Sequence, residues 1–229
     1  MKQALSLLLA LCLLLGLAAC SGGDQPTQKP AGAEDSQQTT AAATTGKEPV
    51  DVHGTIENDA YINECLNLKI LCPDGWFFYT EEQIAQANNL SAELFKDTNL
   101  SEIVESAGQA MDMMLSDGAQ SSMNLIIQQE MPAIKAYTDE QVFKLSEMSI
   151  KSQISSAGWE IRDFNPKTMT VGGEDRMVLY MALTANGVKF EEYQIWFRTG
   201  GDYMGVLTLA LMDGRDPQPY LDGIFTLHK

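Results

Sequence analysis

"RMVLYMALTANGVKFEEYQIWFRTGGDYMGVLTLALM", residues 176–212, decides the fold class. Three runs rich in β-branched, aliphatic and aromatic residues (176–184, 189–199 and 203–212) are divided by Asn186-Gly187 and by Gly200-Gly201-Asp202. Asn-Gly is the strongest short hairpin signal, because both residues accept the positive φ of a type I′ turn. With "WEIRDF" (159–164) ahead of them, the runs predict an antiparallel meander. On the run 189–199, alternation puts Phe190, Glu192, Gln194 and Trp196 on one face and Glu191, Tyr193, Ile195 and Phe197 on the other. A sheet covered by helices on both faces would bury these aromatics. The alternative is an aromatic-lined groove for a peptide or glycan.

Upstream of the meander, Thr138-Asp139-Glu140-Gln141 is a capping box that opens the longest helix. Val142, Phe143, Leu145, Ile150 and Ile154 recur along it at helical spacing, and Ala157-Gly158 stops it. Before that, two apolar runs flank Ser116-Asp117-Gly118 and read as a hairpin. Thr80-Glu81-Glu82-Gln83 is another capping box, and Ser91 and Asn99 begin further short helices. Residues 220–228 read as a closing helix. Hairpins and a meander separated by helices predict an α+β domain with a central antiparallel sheet flanked by helices, over residues 60–229.

The first part of that domain is "YINECLNLKILCPDGWFFYTEEQIAQ", residues 61–86. Two short strands surround a turn at Leu66-Asn67, and Pro73-Asp74-Gly75 is a second turn before the aromatic strand 76–79. In that register Cys65 faces Leu68, leaving Cys72 about 13 Å further along at 3.3 Å per residue. A disulfide needs Cα atoms within about 7 Å, so two free, buried thiols are expected.

The N-terminus carries an address. Lys2 precedes a fourteen-residue apolar run, Ala4 to Leu17, too short to span a bilayer but suited to a secretory signal peptide. Leu17-Ala18-Ala19-Cys20 is similar to the lipobox of bacterial lipoproteins. That resemblance implies cleavage between Ala19 and Cys20 and a diacylglycerol on Cys20, which is then an anchor and not a nucleophile. Two acyl chains supply on the order of 20 kcal/mol of membrane attachment at about 0.8 kcal/mol per methylene. Residues 20–59, rich in Gly, Pro, Ser, Thr and Gln, read as a flexible tether reaching about 35 Å. The domain is therefore expected on the outer, extracytoplasmic face of the cell membrane.

Charge excludes one partner class. The chain has 15 Lys and Arg against 31 Asp and Glu, a formal charge of −16, and residues 60–229 hold 12 against 24. Such a surface repels phosphate backbones, so nucleic acid is not expected. Cationic partners are compatible with it. Catalytic residues are not expected: the two histidines, His53 in the tether and His228 at the end, flank the domain, and no nucleophile elbow, zincin helix or phosphate loop occurs. Met111, Met113 and Met114 suit a core better than a copper site. Asp213, Asp216 and Asp222 do not follow a calcium-loop spacing. No metal or cofactor site is expected.

Tyr61 and Asn63, the tight turn, the alternating strand, Pro73-x-Gly75-Trp76, a capped helix, two hairpins and the late meander together resemble PsbP-like lipoproteins. The group includes the extrinsic P subunit of photosystem II and a nuclear-import protein that binds Ran. The resemblance covers most of residues 60–228 and implies an αβα sandwich. Asn67 stands where the group's turn would have glycine, a position asparagine tolerates in the left-handed region. Fold alone carries no function. The residues themselves point to a non-catalytic binding or accessory domain for an envelope partner. A domain that binds a small ligand or cation by itself, and a carboxylate-dependent cell-wall hydrolase, are the other readings.

Overall fold

The structure is a computed structural model and is described over residues 52–227. The signal-peptide and lipobox residues, Ala19 and Cys20 among them, lie outside the described residues, as does His228. The fold is α+β, with two antiparallel sheets. A small sheet has the order β1 (Thr55–Glu57), β2 (Ala60–Asn63), β3 (Leu68–Leu71) and β11 (Ile224–Thr226). The large sheet contains β4 (Phe77–Phe78), β5 (Gln109–Ser116), β6 (Ser122–Gln129), β7 (Glu160–Val171), β8 (Glu174–Ala185), β9 (Val188–Arg198) and β10 (Tyr203–Met212). Its order is β4-β5-β6-β10-β9-β8-β7, so the meander of β7 to β10 is present as expected. Asn186 and Gly187 both take positive φ at its β8–β9 turn, as a type I′ turn requires.

Helices cover both faces of the large sheet. α1 (Glu81–Ala87), α2 (Ala92–Asp97) and α3 (Leu100–Ala107) share one core with the small sheet and with Tyr193, Ile195 and Phe197. α4 (Asp139–Ser156) covers the other face over β7 and β8, packing on Leu179, Met181, Leu183, Phe190 and Trp196. The aromatics of β9 are thus core side chains, divided between two cores by alternation. Thr80 and Thr138 each accept from the backbone N–H three residues on, and Gln83 and Gln141 reach back to the cap N–H. These reciprocal bonds satisfy donors that a helix start leaves open. Among the described residues no helix is long and apolar enough to cross a membrane.

Several expectations are corrected. The fold begins before residue 60: Val52 is fully buried and Thr55–Glu57 pairs with Ala60–Ile62, so His53 belongs to the domain and not to the tether. In the first hairpin Asn63, not Cys65, faces Leu68. The Asn63 Oδ1 accepts from the Leu66 N–H at 2.8 Å, closing a four-residue loop in which Asn67 has φ of 53°. Cys65 falls in that loop. Cys65 and Cys72 form no disulfide, but each is half-buried and not fully enclosed. Leu145 is 66% exposed, because only Val142, Phe143, Ser146, Ile150 and Ile154 of α4 turn inward. The expected helix over 220–228 is not found in its described part, 220–227: after one turn, α5 (Gln218–Leu221), Ile224–Thr226 pairs with β3.

Gly172 shows how tightly β11 docks. Its φ is +57°, its N–H donates to the Leu221 carbonyl at 3.0 Å, and a Cβ there would lie 1.7 Å from the Ile224 carbonyl oxygen. Gly172→Ala is expected to cost about 2–4 kcal/mol, since backbone strain adds to a clash with main chain. Urea unfolding measures it, and Gly173→Ala, with positive φ but open space, supplies the comparison. Equal losses in both variants would show that the β11 contact contributes nothing.

Candidate functional site

The site forms where β6 and β9 end beside the start of α4. Arg198, the last residue of β9, is the hub. Its Nε donates to Glu130 Oε1 at 2.6 Å, Nη1 to the Tyr137 carbonyl at 2.8 Å and to Asp139 Oδ1 at 3.1 Å, and Nη2 to the Ile134 carbonyl at 2.7 Å. Burial works against its charge, but the bonds to Glu130 and Asp139 prevail and hold its pKa above the ordinary arginine value. One guanidinium therefore joins the end of β6, the turn at Pro132–Ile134 and the first residue of α4.

These groups border a cleft of about 390 Å³, together with Lys135, Arg176, Tyr137 and Trp196. Two buried polar atoms in its wall lack a hydrogen-bond partner among the described residues: Glu130 Oε2, an acceptor, and Trp196 Nε1, a donor. The indole is held edge-on against Phe143 of α4, with ring centroids 4.5 Å apart.

From Trp196 a polar row continues along the same face of β9. Gln194 lies beside Thr208 of β10, which lies beside Asn124 of β6. Glu192 lies beside Ala210, and Ala210 beside Ser122. All the polar members of this patch are buried. Glu192 Oε2 and Gln194 Nε2 have no hydrogen-bond partner among the described residues. Burial alone pushes the Glu192 carboxyl from its ordinary 4.5 to about 8, so it is largely protonated at neutral pH. Unpartnered buried polar groups are uncommon, because each costs about 1–3 kcal/mol. Sequence alternation places Glu192, Gln194 and Trp196 on one face. Nothing in the sequence indicates that β6, β10 and α4 would meet them there.

A second cluster lies at the β5 bulge. Asp112 accepts from His53 Nδ1 at 2.9 Å, the Gly54 N–H at 2.8 Å, Asn63 Nδ2 at 3.3 Å and the Tyr61 hydroxyl. Burial, with the nearby Asp112 carboxylate, raises the Tyr61 pKa well above normal. The histidine–aspartate geometry is that of a general base, but the residues around it fasten 52–54 onto the sheet. Asp112→Ala is expected to lower stability by about 2–4 kcal/mol, since several donors lose their acceptor at once. Hydrogen exchange at residues 52–57 should then accelerate, and exchange unchanged there would remove the fastening role.

The other candidate groups are accounted for by packing or local bonds. Met111, Met113 and Met114 are buried in the first core. Asp213 bonds Arg162, Asp216 accepts from the Gln218 N–H, and Asp222 from Gln218 Nε2. Among the described residues no group of three or more His, Cys, Asp or Glu is arranged for a metal ion. Cys72 donates to the Trp76 carbonyl, and burial with Asp59 raises its pKa, which keeps it a weakly nucleophilic thiol.

No family model matches the sequence, and no curated protein matches it. Two of the solved structures similar to it illustrate the likeness. One is a crystal structure of a protein from Bacteroides thetaiotaomicron VPI-5482: 7% identity, TM-score 0.39, covering 71% of this chain and 45% of that one, so the chain spans less than half of that protein. The other is the solution structure of cyanobacterial PsbP (CyanoP) from Synechocystis sp. PCC 6803, with 10% identity and TM-score 0.43, covering 80% of this chain and 98% of that one. Similarity at this level transfers no site residue and no activity.

Proposed function

We propose that the protein is a lipid-anchored, extracytoplasmic binding domain of PsbP-like type, a non-catalytic accessory subunit presented on its tether to an envelope partner. The observation that carries the binding role is the cleft at the start of α4, walled by buried polar atoms that the domain itself leaves unpartnered. Such atoms are retained at a cost to stability, and a bound partner relieves that cost. Anchoring rests on Leu17-Ala18-Ala19-Cys20.

Two experiments test the reading separately. Growth of the host with labelled palmitate should label the protein, and Cys20→Ala should abolish the label. Labelling that persists in the variant would remove the anchor. Crosslinking of the tagged protein in living host cells should recover one near-stoichiometric envelope protein, and recovery of no specific partner would overturn the accessory role. The cleft volume also favours a second reading, a domain binding a small ligand by itself. A ligand-dependent rise in thermal stability without a protein partner would select it.

A further inference from the structure

The cleft at the start of α4 differs in charge from the rest of the domain. Residues 60–229 hold 12 Lys and Arg against 24 Asp and Glu, but the cleft is bordered by three cations, Lys135, Arg176 and Arg198, and by two acids, Glu130 and Asp139. Both acids are held by Arg198, at 2.6 and 3.1 Å, and the same guanidinium serves the Ile134 and Tyr137 carbonyls. Lys135 and Arg176 are engaged far less. Lys135, next after the turn at Pro132–Ile134, reaches only the exposed Asp202, at 3.4 Å. Arg176 of β8 donates through Nη2 to Glu174 at 3.0 Å, and its guanidinium lies 5.1 Å from the ring centre of Phe197. Neither Asp202 nor Glu174 borders the cleft. An ammonium carries three donors and a guanidinium five, so among the described residues most N–H groups of this pair have no protein acceptor.

We propose that the cleft binds a carboxylate group, held between Lys135 and Arg176. The proposal rests on the binding-domain reading and names the chemistry that the cleft receives. The group comes from a free small acid or from the C-terminus of a partner chain, and either source brings the same two oxygens.

Charge and shape agree. The three cations and two acids leave one net positive charge, which a single carboxylate neutralises, whereas a phosphate dianion would leave an excess of negative charge. The planar fork of Arg176 matches two carboxylate oxygens, and the Phe197 ring restricts the orientations of that fork. Trp196 adds a donor to the wall, since its buried indole N–H has no acceptor among the described residues. A volume of about 390 Å³ lies in the range of small-ligand sites. The formal charge of −16 repels anions from a distance, but at physiological salt it is screened beyond about 8 Å, so the groups bordering the cleft decide what enters it.

The test is NMR titration of the full-length protein in detergent, isotopically labelled at tryptophan and arginine, with sodium acetate replacing sodium chloride at constant ionic strength. A saturable shift of the Trp196 indole and Arg176 side-chain N–H signals is expected. Lys135→Gln and Arg176→Gln should each weaken binding at least about fivefold, since each removes a charged donor. Lys144→Gln, which removes the same charge from an exposed position of α4, should leave it unchanged. Thermal melts of each variant verify folding. Absence of a saturable shift, or unchanged affinity in either cleft variant, would overturn the site. Phosphate binding more tightly than acetate, with the same sensitivity to both variants, would overturn the carboxylate. Acetylated trialanine with a free C-terminus is the second probe. Tighter binding than acetate supports a chain terminus as the source, equal binding supports a free acid, and equal binding of its C-terminal amide would overturn both. Failure of these titrations beside a recovered crosslinked partner would sink the carboxylate alone. Failure of both experiments would sink the binding domain as well.

Discussion

Arg198→Ala is expected to destabilise the domain by about 3–5 kcal/mol, the range for removing one partner of a buried ion pair. The side chain is 12% exposed and that of its partner Glu130 only 1%, so the remaining carboxylate would keep its burial and lose its cation. Both Glu130 oxygens would then be unpartnered, since Oε2 already is. The carbonyls of Ile134 and Tyr137 would lose their donor too, loosening the turn that leads into α4. Arg198→Lys should recover part of the loss. An ammonium keeps the charge but is a point donor, and it cannot serve a carboxylate, a second carboxylate and two carbonyls arranged around a planar fork. Urea unfolding of the three proteins provides the numbers, and a loss under about 1 kcal/mol in the alanine variant would mean that the hub is ornamental.

Glu192→Gln carries the opposite sign. Its carboxyl has a folded pKa near 8 against an ordinary 4.5, so between those values the folded protein holds a proton that the unfolded chain releases. Stability contributed by the neutral acid is fully present below pH 4.5 and is lost as pH rises toward 8. At about 1.4 kcal/mol per pH unit, the loss reaches on the order of 4 kcal/mol at pH 8. Glutamine has the same shape and cannot ionise. The variant should match the parent near pH 5, exceed it by a few kcal/mol at pH 8, and show a flatter stability profile between. Melting curves at pH 5, 6, 7 and 8 for both proteins measure this, and parallel profiles would show that Glu192 is solvated or paired in solution.

What was legible in the sequence is local. The strands of the meander, the turn at Asn186-Gly187, the caps at Thr80 and Thr138 and the stop at Gly158 depend on interactions within a few residues, which periodicity and turn chemistry report directly. The same alternation assigned Glu192, Gln194 and Trp196 to one face and Tyr193 and Phe197 to the other, as the two cores bear out.

Tertiary structure decided the rest. Ile224–Thr226 becomes a strand because β3, more than 150 residues earlier, leaves an edge for it, and three residues carry too little pattern to outweigh a helical reading. His53 joins the domain through Asp112, 59 residues away, in a stretch whose composition suggests only a tether. Leu145 turns outward because α4 meets the sheet on a narrower stripe than its apolar residues suggest. The site itself was the least legible part. Arg198, Glu130 and Asp139 belong to three elements, and the unpartnered atoms of the β9 face are defined only by what surrounds them. Local sequence sets torsions and faces within a turn or strand, whereas burial and missing partners are properties of the assembled neighbours.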